Sequence, residues 1–220
     1  MSLVVAVRDD QDLVVACDGR VLSNDLSVMA EDAPKTLALN AELCLGLAGP
    51  THALRHVLAS LGLRCRGVHP ADLLRVCQEA RCPVDIRYED ARSELSGVLR
   101  WMLRRVAPCD RVGRIPSILL AGRNAGAPTL AEWESPTWTP DQSPPAGRWS
   151  AVVGQVPPRG SRALEAFREM VSDGAIHRPA EECLTHAVRL CARYFGPRGP
   201  IGETVFLRRL SQKFLLARAG

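Results

Sequence analysis

The chain has 220 residues, enough for one domain with a substantial buried core, and its 46% hydrophobic and 24% charged residues are those of an ordinary globular protein. Its formal net charge of +4 is mild, the basic residues are spread along the chain, and aromatics make up only 5%. That excludes the clustered basic stripe with interleaved aromatics by which a nucleic-acid partner would be recognised.

The opening Met1-Ser2-Leu3 lacks a basic leader and soon meets Asp9 and Asp10, and no apolar run approaches a membrane span. The expectation is a cytoplasmic chain with no membrane contact. Two runs rich in β-branched residues follow, Leu3 to Val7 and Leu13 to Cys17, joined by the polar turn Arg8 to Asp12. Further short runs at Leu26 to Ala30, Lys35 to Leu39 and Glu42 to Leu47 complete a set of hairpins. Pro50 then opens a helix whose Leu54, Val57, Leu58 and Leu61 share one face. Two more helices are expected over Pro70 to Glu79 and Tyr88 to Val106. Strands return at Ile115 to Ala121 and Thr129 to Glu134. A Pro-rich surface loop over Ser135 to Gly147 leads to a strand at Ala151 to Val153. Helices over Ser161 to Val171 and Pro179 to Tyr194 precede two final strands, Thr204 to Leu207 and Lys213 to Ala217. Blocks of strands and helices, rather than strict alternation, predict an α+β fold of antiparallel sheets with helices outside, in a single domain over residues 1–220.

Eight cysteines (Cys17, Cys44, Cys65, Cys77, Cys82, Cys109, Cys183 and Cys191) include no Cys-x-x-Cys pair. Most read as small buried apolar residues. His52 and His56 stand one helical turn apart, but the intervening Ala53-Leu54-Arg55 lacks the glutamate of a zinc hydrolase and no third ligand is apparent. Gly113, Gly122 and Gly126 form no phosphate loop, so no metal or cofactor is implied. Trp133, Trp138 and Trp149 flank the Pro-rich loop, and their simplest use is to anchor it against the sheet.

Arginine supplies almost all the basic residues; Lys35 and Lys213 are the only lysines. An ammonium exchanges protons and shifts its pKa where a guanidinium stays charged, so Lys35 stands out. Ser2 stands out with it. Once Met1 is removed, Ser2 carries a hydroxyl and an α-amine on one residue. An amine with an ordinary pKa of about 7.7–8.0 can act as base for that hydroxyl, with no histidine. A neighbouring ammonium would favour the neutral amine, and a carboxylate such as Asp18 would hold the ammonium.

Ser2-Leu3-Val4-Val5-Ala6-Val7 and Val14-Val15-Ala16-Cys17-Asp18-Gly19-Arg20 resemble the start of proteasome β subunits and of the HslV protease, in the N-terminal-nucleophile hydrolase family. The family's nucleophile precedes the aspartate of a small-residue-Asp-Gly turn by the interval that separates Ser2 from Asp18. Lys35 matches a family lysine with one residue inserted, and Gly46-Leu47-Ala48-Gly49 resembles its Ala-Gly-rich turn before a helix. The resemblance implies a four-layer αββα sandwich of antiparallel sheets. It assigns Ser2 as nucleophile, Asp18 and Lys35 as its supporting charges, and the Gly49 N–H as oxyanion donor. It further implies a peptidase in a ring of identical chains, with a peptide or amide substrate and an ATPase unfoldase as a further partner.

The chain also departs from the family pattern. Serine stands where proteolytic members carry threonine. The family's Gly-Ser-Gly turn becomes Val153-Gly154-Gln155-Val156 if read from the preceding strand, or Gly160-Ser161 if counted back from the helix. A supporting aspartate has no counterpart in Tyr194-Phe195-Gly196-Pro197-Arg198. Two alternatives stay open beside the peptidase: a non-catalytic structural or binding member of the fold, and a small-molecule amidase.

Overall fold

The computed structural model describes residues 2–8, 12–23, 25–63, 65, 67–69, 72–79, 85–142, 149–173 and 179–210. Its elements in chain order are β1 (Leu3–Arg8), β2 (Leu13–Asp18), β3 (Val21–Leu22), β4 (Val28–Ala30), β5 (Thr36–Ala38), β6 (Leu43–Ala48), α1 (Thr51–Ser60), α2 (Leu73–Glu79) and α3 (Tyr88–Leu103). A 3₁₀ turn at Pro108–Asp110 leads into α4 (Arg111–Arg114), β7 (Ser117–Asn124), β8 (Ala127–Trp133), β9 (Asp141–Gln142) and β10 (Trp149–Gly154). The chain continues through α5 (Arg162–Arg168), a π-helical turn at Glu169–Asp173, α6 (Ala180–Phe195) and β11 (Val205–Leu210).

The strands form two larger sheets, ordered β10-β1-β2-β11 and β5-β6-β7-β8-β9, plus the separate hairpin β3-β4. Every pairing is antiparallel. In β1 and β2 all six residues are buried, which explains why these strands read as unbroken apolar runs. Successive side chains serve opposite faces. Leu3, Val5, Val7, Val14 and Ala16 join one cluster with Leu164 and Phe167 of α5 and Leu184, Ala187, Val188 and Cys191 of α6. Their neighbours Val4, Ala6, Leu13, Val15 and Cys17 join a second cluster with Cys44, Leu119, Ala121 and Leu130 of the other sheet.

The second sheet divides its residues in the same way. Leu43, Leu45, Leu47, Ile118 and Leu120 face a third cluster made with α1, α2 and α3. Gly46 shows how closely the sheets approach, since a Cβ there would lie 2.6 Å from Val4 Cγ1. α6 buries Cys183, Leu184, Ala187, Val188, Cys191 and Ala192, a stripe at helical spacing, and ends at Gly196 with φ +77°.

Two glutamates stitch the sheets along the edge strand β10. Glu132 Oε2 accepts the N–H of Val152 at 2.9 Å, and Glu134 Oε1 accepts that of Gly154 at 3.0 Å. Trp138 is buried, and its Nε1–H donates to the Pro116 carbonyl at 3.1 Å, anchoring the start of the Pro-rich stretch.

The expected strands and helices are found with modest changes of boundary. α3 stops at Leu103 rather than Val106, just ahead of Pro108, which cannot continue a helix. β3, β9 and α4 were not expected: β3 is only two residues long, and the other two lie in polar or Pro-rich sequence without periodicity. The predicted strand Lys213 to Ala217, residues Pro70 and Ala71 of the predicted second helix, and Cys82 lie outside the described residues. No helix among the described residues is long and apolar enough to cross a membrane.

Candidate active site

Ser2 immediately precedes β1 and is 7% exposed. The β1-β2 register, which pairs Val4 with Cys17, brings Asp18 beside the first residues of the chain. Asp18 is fully buried, and both its carboxylate oxygens accept backbone donors. Oδ1 takes the Leu3 N–H at 2.9 Å; Oδ2 takes those of Arg20 at 2.9 Å and Gly202 at 3.3 Å.

Lys35 comes from the chain leading into β5 of the other large sheet. The segment ahead of β5 crosses over Gly19, where a Cβ would sit 2.4 Å from the Glu31 carbonyl oxygen. The Gly19 carbonyl in turn accepts the Ala33 N–H at 2.9 Å. Glycine is needed there because any side chain would push this crossing away. Lys35 is 5% exposed, and its N–H donates to Cys17 Sγ at 3.2 Å. Burial pushes the Asp18 carboxyl above its ordinary range, and the Lys35 charge and the three N–H donors pull it back. Burial likewise pushes the Lys35 ammonium down, and Asp18 is the largest of the charges holding it up. The two groups therefore act on each other as a coupled pair of opposite charge.

Ser2, Lys35 and Gly49 line one cleft of about 820 Å³. Its walls include Val21 and Leu22 of β3, Leu54 and Arg55 of α1, and Leu73 and Leu74 of α2. Gly49 has φ +150°, and a Cβ there would lie 2.8 Å from Pro116 Cα, so only glycine fits this corner. Pro50, Thr51 and His52, at the start of α1, continue the lining. The positive end of the α1 dipole thus faces the cleft beside Ser2, an environment that favours developing negative charge.

Gln155, not Ser161, is the residue next to Ser2. The Gln155 N–H donates to the Ser2 carbonyl at 2.9 Å, and a Cβ on Gly154 would fall 1.9 Å from that same oxygen. Ser161 instead caps α5: its Oγ accepts the Leu164 N–H at 3.1 Å and donates to the Pro158 carbonyl at 2.8 Å. Buried Gln155 Oε1 has no hydrogen-bond partner among the described residues. The segment after α6, which lacks the carboxylate of the family pattern, contributes backbone. Gly202 donates to Asp18, and the Gly199 carbonyl accepts Arg20 Nη1 at 2.7 Å.

Other titratable groups are set aside by their surroundings. Burial raises the Cys17 thiol to about 11, so it stays protonated and is no rival nucleophile. His56 packs its ring 5.3 Å from that of Trp101, whereas His52 lies at the cleft. Sequence reasoning missed Glu134, which accepts the Gly154 N–H directly behind Ser2 and the Ser117 hydroxyl at 3.4 Å. Burial raises its carboxyl above the ordinary range. Glu132 in β8 and Glu134 directly after its end stand among mostly buried residues, but the sequence names no partner for either carboxylate.

No protein-family model matches the chain, and no curated protein does. Among solved structures, the crystal structure of eukaryotic HslV from Trypanosoma brucei aligns over 96% of this chain and 99% of its own, with a TM-score of 0.57 and 19% identity. The chain is thus similar to that HslV in fold, over nearly the whole length of both.

Proposed function

We propose that the chain is an N-terminal-serine amide hydrolase, a proteasome-like peptidase acting in a ring of its own copies within the cytoplasm. In this reading the packing described above is a four-layer αββα sandwich in one domain, with the cleft at the mouth between the β3-β4 hairpin and α1. The observation that carries it is the convergence of Ser2, Lys35 and Gly49 on one cleft, with Asp18 buried behind them and coupled to Lys35.

After removal of Met1, Ser2 Oγ attacks the carbonyl carbon while the Ser2 α-amine takes the hydroxyl proton. The carbonyl oxygen gains the charge, which the Gly49 N–H and the start of α1 stabilise. The protonated amine then gives its proton to the leaving amine, and the C–N bond breaks. Water, deprotonated by the same amine, attacks the acyl carbon, and the amine hands that proton to Oγ as the C–Oγ bond breaks. Lys35 keeps the amine neutral by its charge, and Asp18 holds Lys35 charged despite its burial.

Intact mass of the purified chain, with and without an acylating β-lactone, tests this. Loss of Met1 and a single adduct that disappears in Ser2→Ala, with the variant still folded, is the expected result. Retained Met1 with no adduct would overturn it. That outcome would favour the non-catalytic reading, which Gln155 at the serine position and the lack of a carboxylate in Gly196-Pro197-Arg198 support. A panel of peptides against small amides separates the peptidase from an amidase.

A further inference from the structure

Behind the cleft wall, in the apolar cluster that Leu73 and Leu74 also join, lies a pair of thiols that the hydrolytic reading does not use. Cys65 follows α1 and Cys77 lies in α2; their sulfurs are 3.1 Å apart. Both side chains are buried, 6% and 5% exposed, in the apolar cluster that holds Leu61, Leu63, Leu73 and Leu74. A disulfide bond is about 2.05 Å long, so closing this one requires a shift of only about 1 Å. The remaining polar contact of Cys65 Sγ is a long one, 3.8 Å to the Leu63 carbonyl.

The position of the pair gives it consequence. Leu73 and Leu74 of α2 form part of the cleft wall, as do Leu54 and Arg55 of α1. α2 packs on β5, the strand that begins directly after Lys35. Arg55 reaches across to the Val68 carbonyl, in the segment between the two cysteines. A covalent link between Cys65 and Cys77 would therefore tie α2 to the segment leaving α1 and hold one wall of the cleft in place.

We propose that Cys65 and Cys77 form a reversible disulfide that clasps this wall, with a peroxide as oxidant and a dithiol as reductant. One thiolate attacks a peroxide oxygen and breaks the O–O bond, giving a sulfenic acid and, after protonation, water. The second thiolate attacks the sulfenic sulfur and expels hydroxide, which becomes a second water as the S–S bond forms. Two thiols and one hydrogen peroxide thus yield one disulfide and two waters, and the two electrons pass from sulfur to oxygen. A dithiol reverses the link by exchange through a mixed disulfide. The clasp rests on geometry around α2 and is independent of whether Ser2 is a nucleophile.

The test treats the full chain with a slight excess of hydrogen peroxide, blocks remaining thiols with N-ethylmaleimide in denaturant, and maps peptides without reductant. The expected result is a peptide joining Cys65 to Cys77 that dithiothreitol separates, with Cys17 and Cys44 recovered as maleimide adducts. Amide hydrogen exchange over Leu73–Glu79 should be roughly tenfold slower in the oxidised chain, because the link restricts local opening. Cys65→Ser should lose both effects, and the peptide map of the unmodified chain decides the matter even where that variant folds poorly. Both cysteines carrying maleimide, Cys77 joined to a different cysteine, or a link that leaves exchange over α2 unchanged would each overturn the proposal.

Discussion

With both carboxylate oxygens committed to backbone donors, Asp18 joins β1, the turn at Arg20 and the loop at Gly202, while its charge sustains that of Lys35. Asp18→Asn turns an amide nitrogen toward N–H groups that need an acceptor, so it should destabilise the fold by about 1–3 kcal/mol in urea unfolding. It should also drive the Lys35 pKa further down, which NMR titration can follow with only one other lysine in the spectrum. Glu134 offers a pH test. Its folded-state pKa lies above the ordinary value of 4.5. Its contribution is therefore fully present below that value and is lost as pH rises through the folded-state pKa. Glu134→Gln removes this loss, so the variant should gain stability relative to the unmodified chain as pH rises above the ordinary value of 4.5. A difference that stays flat above that value would contradict it. At this scale Ser2, Asp18 and Lys35 were legible because their chemistry attaches to residue type and spacing. Glu134 and the Gly202 N–H were not, because each acts across the chain on a partner that only the fold supplies.

Among the elements, the β7-β8 hairpin carries an avoidable strain. Ala125 and Gly126 both have positive φ, +49° and +84°, as a primed two-residue turn requires. Ala125 is exposed and suits that backbone poorly, so Ala125→Asn should stabilise the protein by about 0.5–1 kcal/mol in thermal unfolding. The runs that became β1, β2, β6 and β7 were legible because burial on both faces leaves an unbroken apolar string. α4 and β9 were illegible for the opposite reason: Arg111–Arg114 buries nothing, and Asp141–Gln142 is two polar residues between prolines. The π-helical turn at Glu169–Asp173 carries the α5 segment slightly past the expected Val171, where propensity alone sets no firm end.

For the molecule as a whole, the block order of strands and helices foretold antiparallel sheets with helices outside. It could not tell which helices cover which sheet, because that assignment depends on pairings as distant as Leu3 with Gly154. Assembly belongs to this scale too. Native mass spectrometry of the purified chain should give a closed multiple of the subunit mass, and a monomer at all concentrations would remove the ring from the functional reading. The glutamates along β10 bear on how such a body meets its surroundings. An edge strand normally offers a ladder of unused donors, a template on which a foreign strand can grow. Here Glu132 and Glu134 have already taken the outward N–H groups of Val152 and Gly154. Among the described residues, the β10 edge nearest Ser2 thus offers a foreign strand fewer unused donors on which to pair.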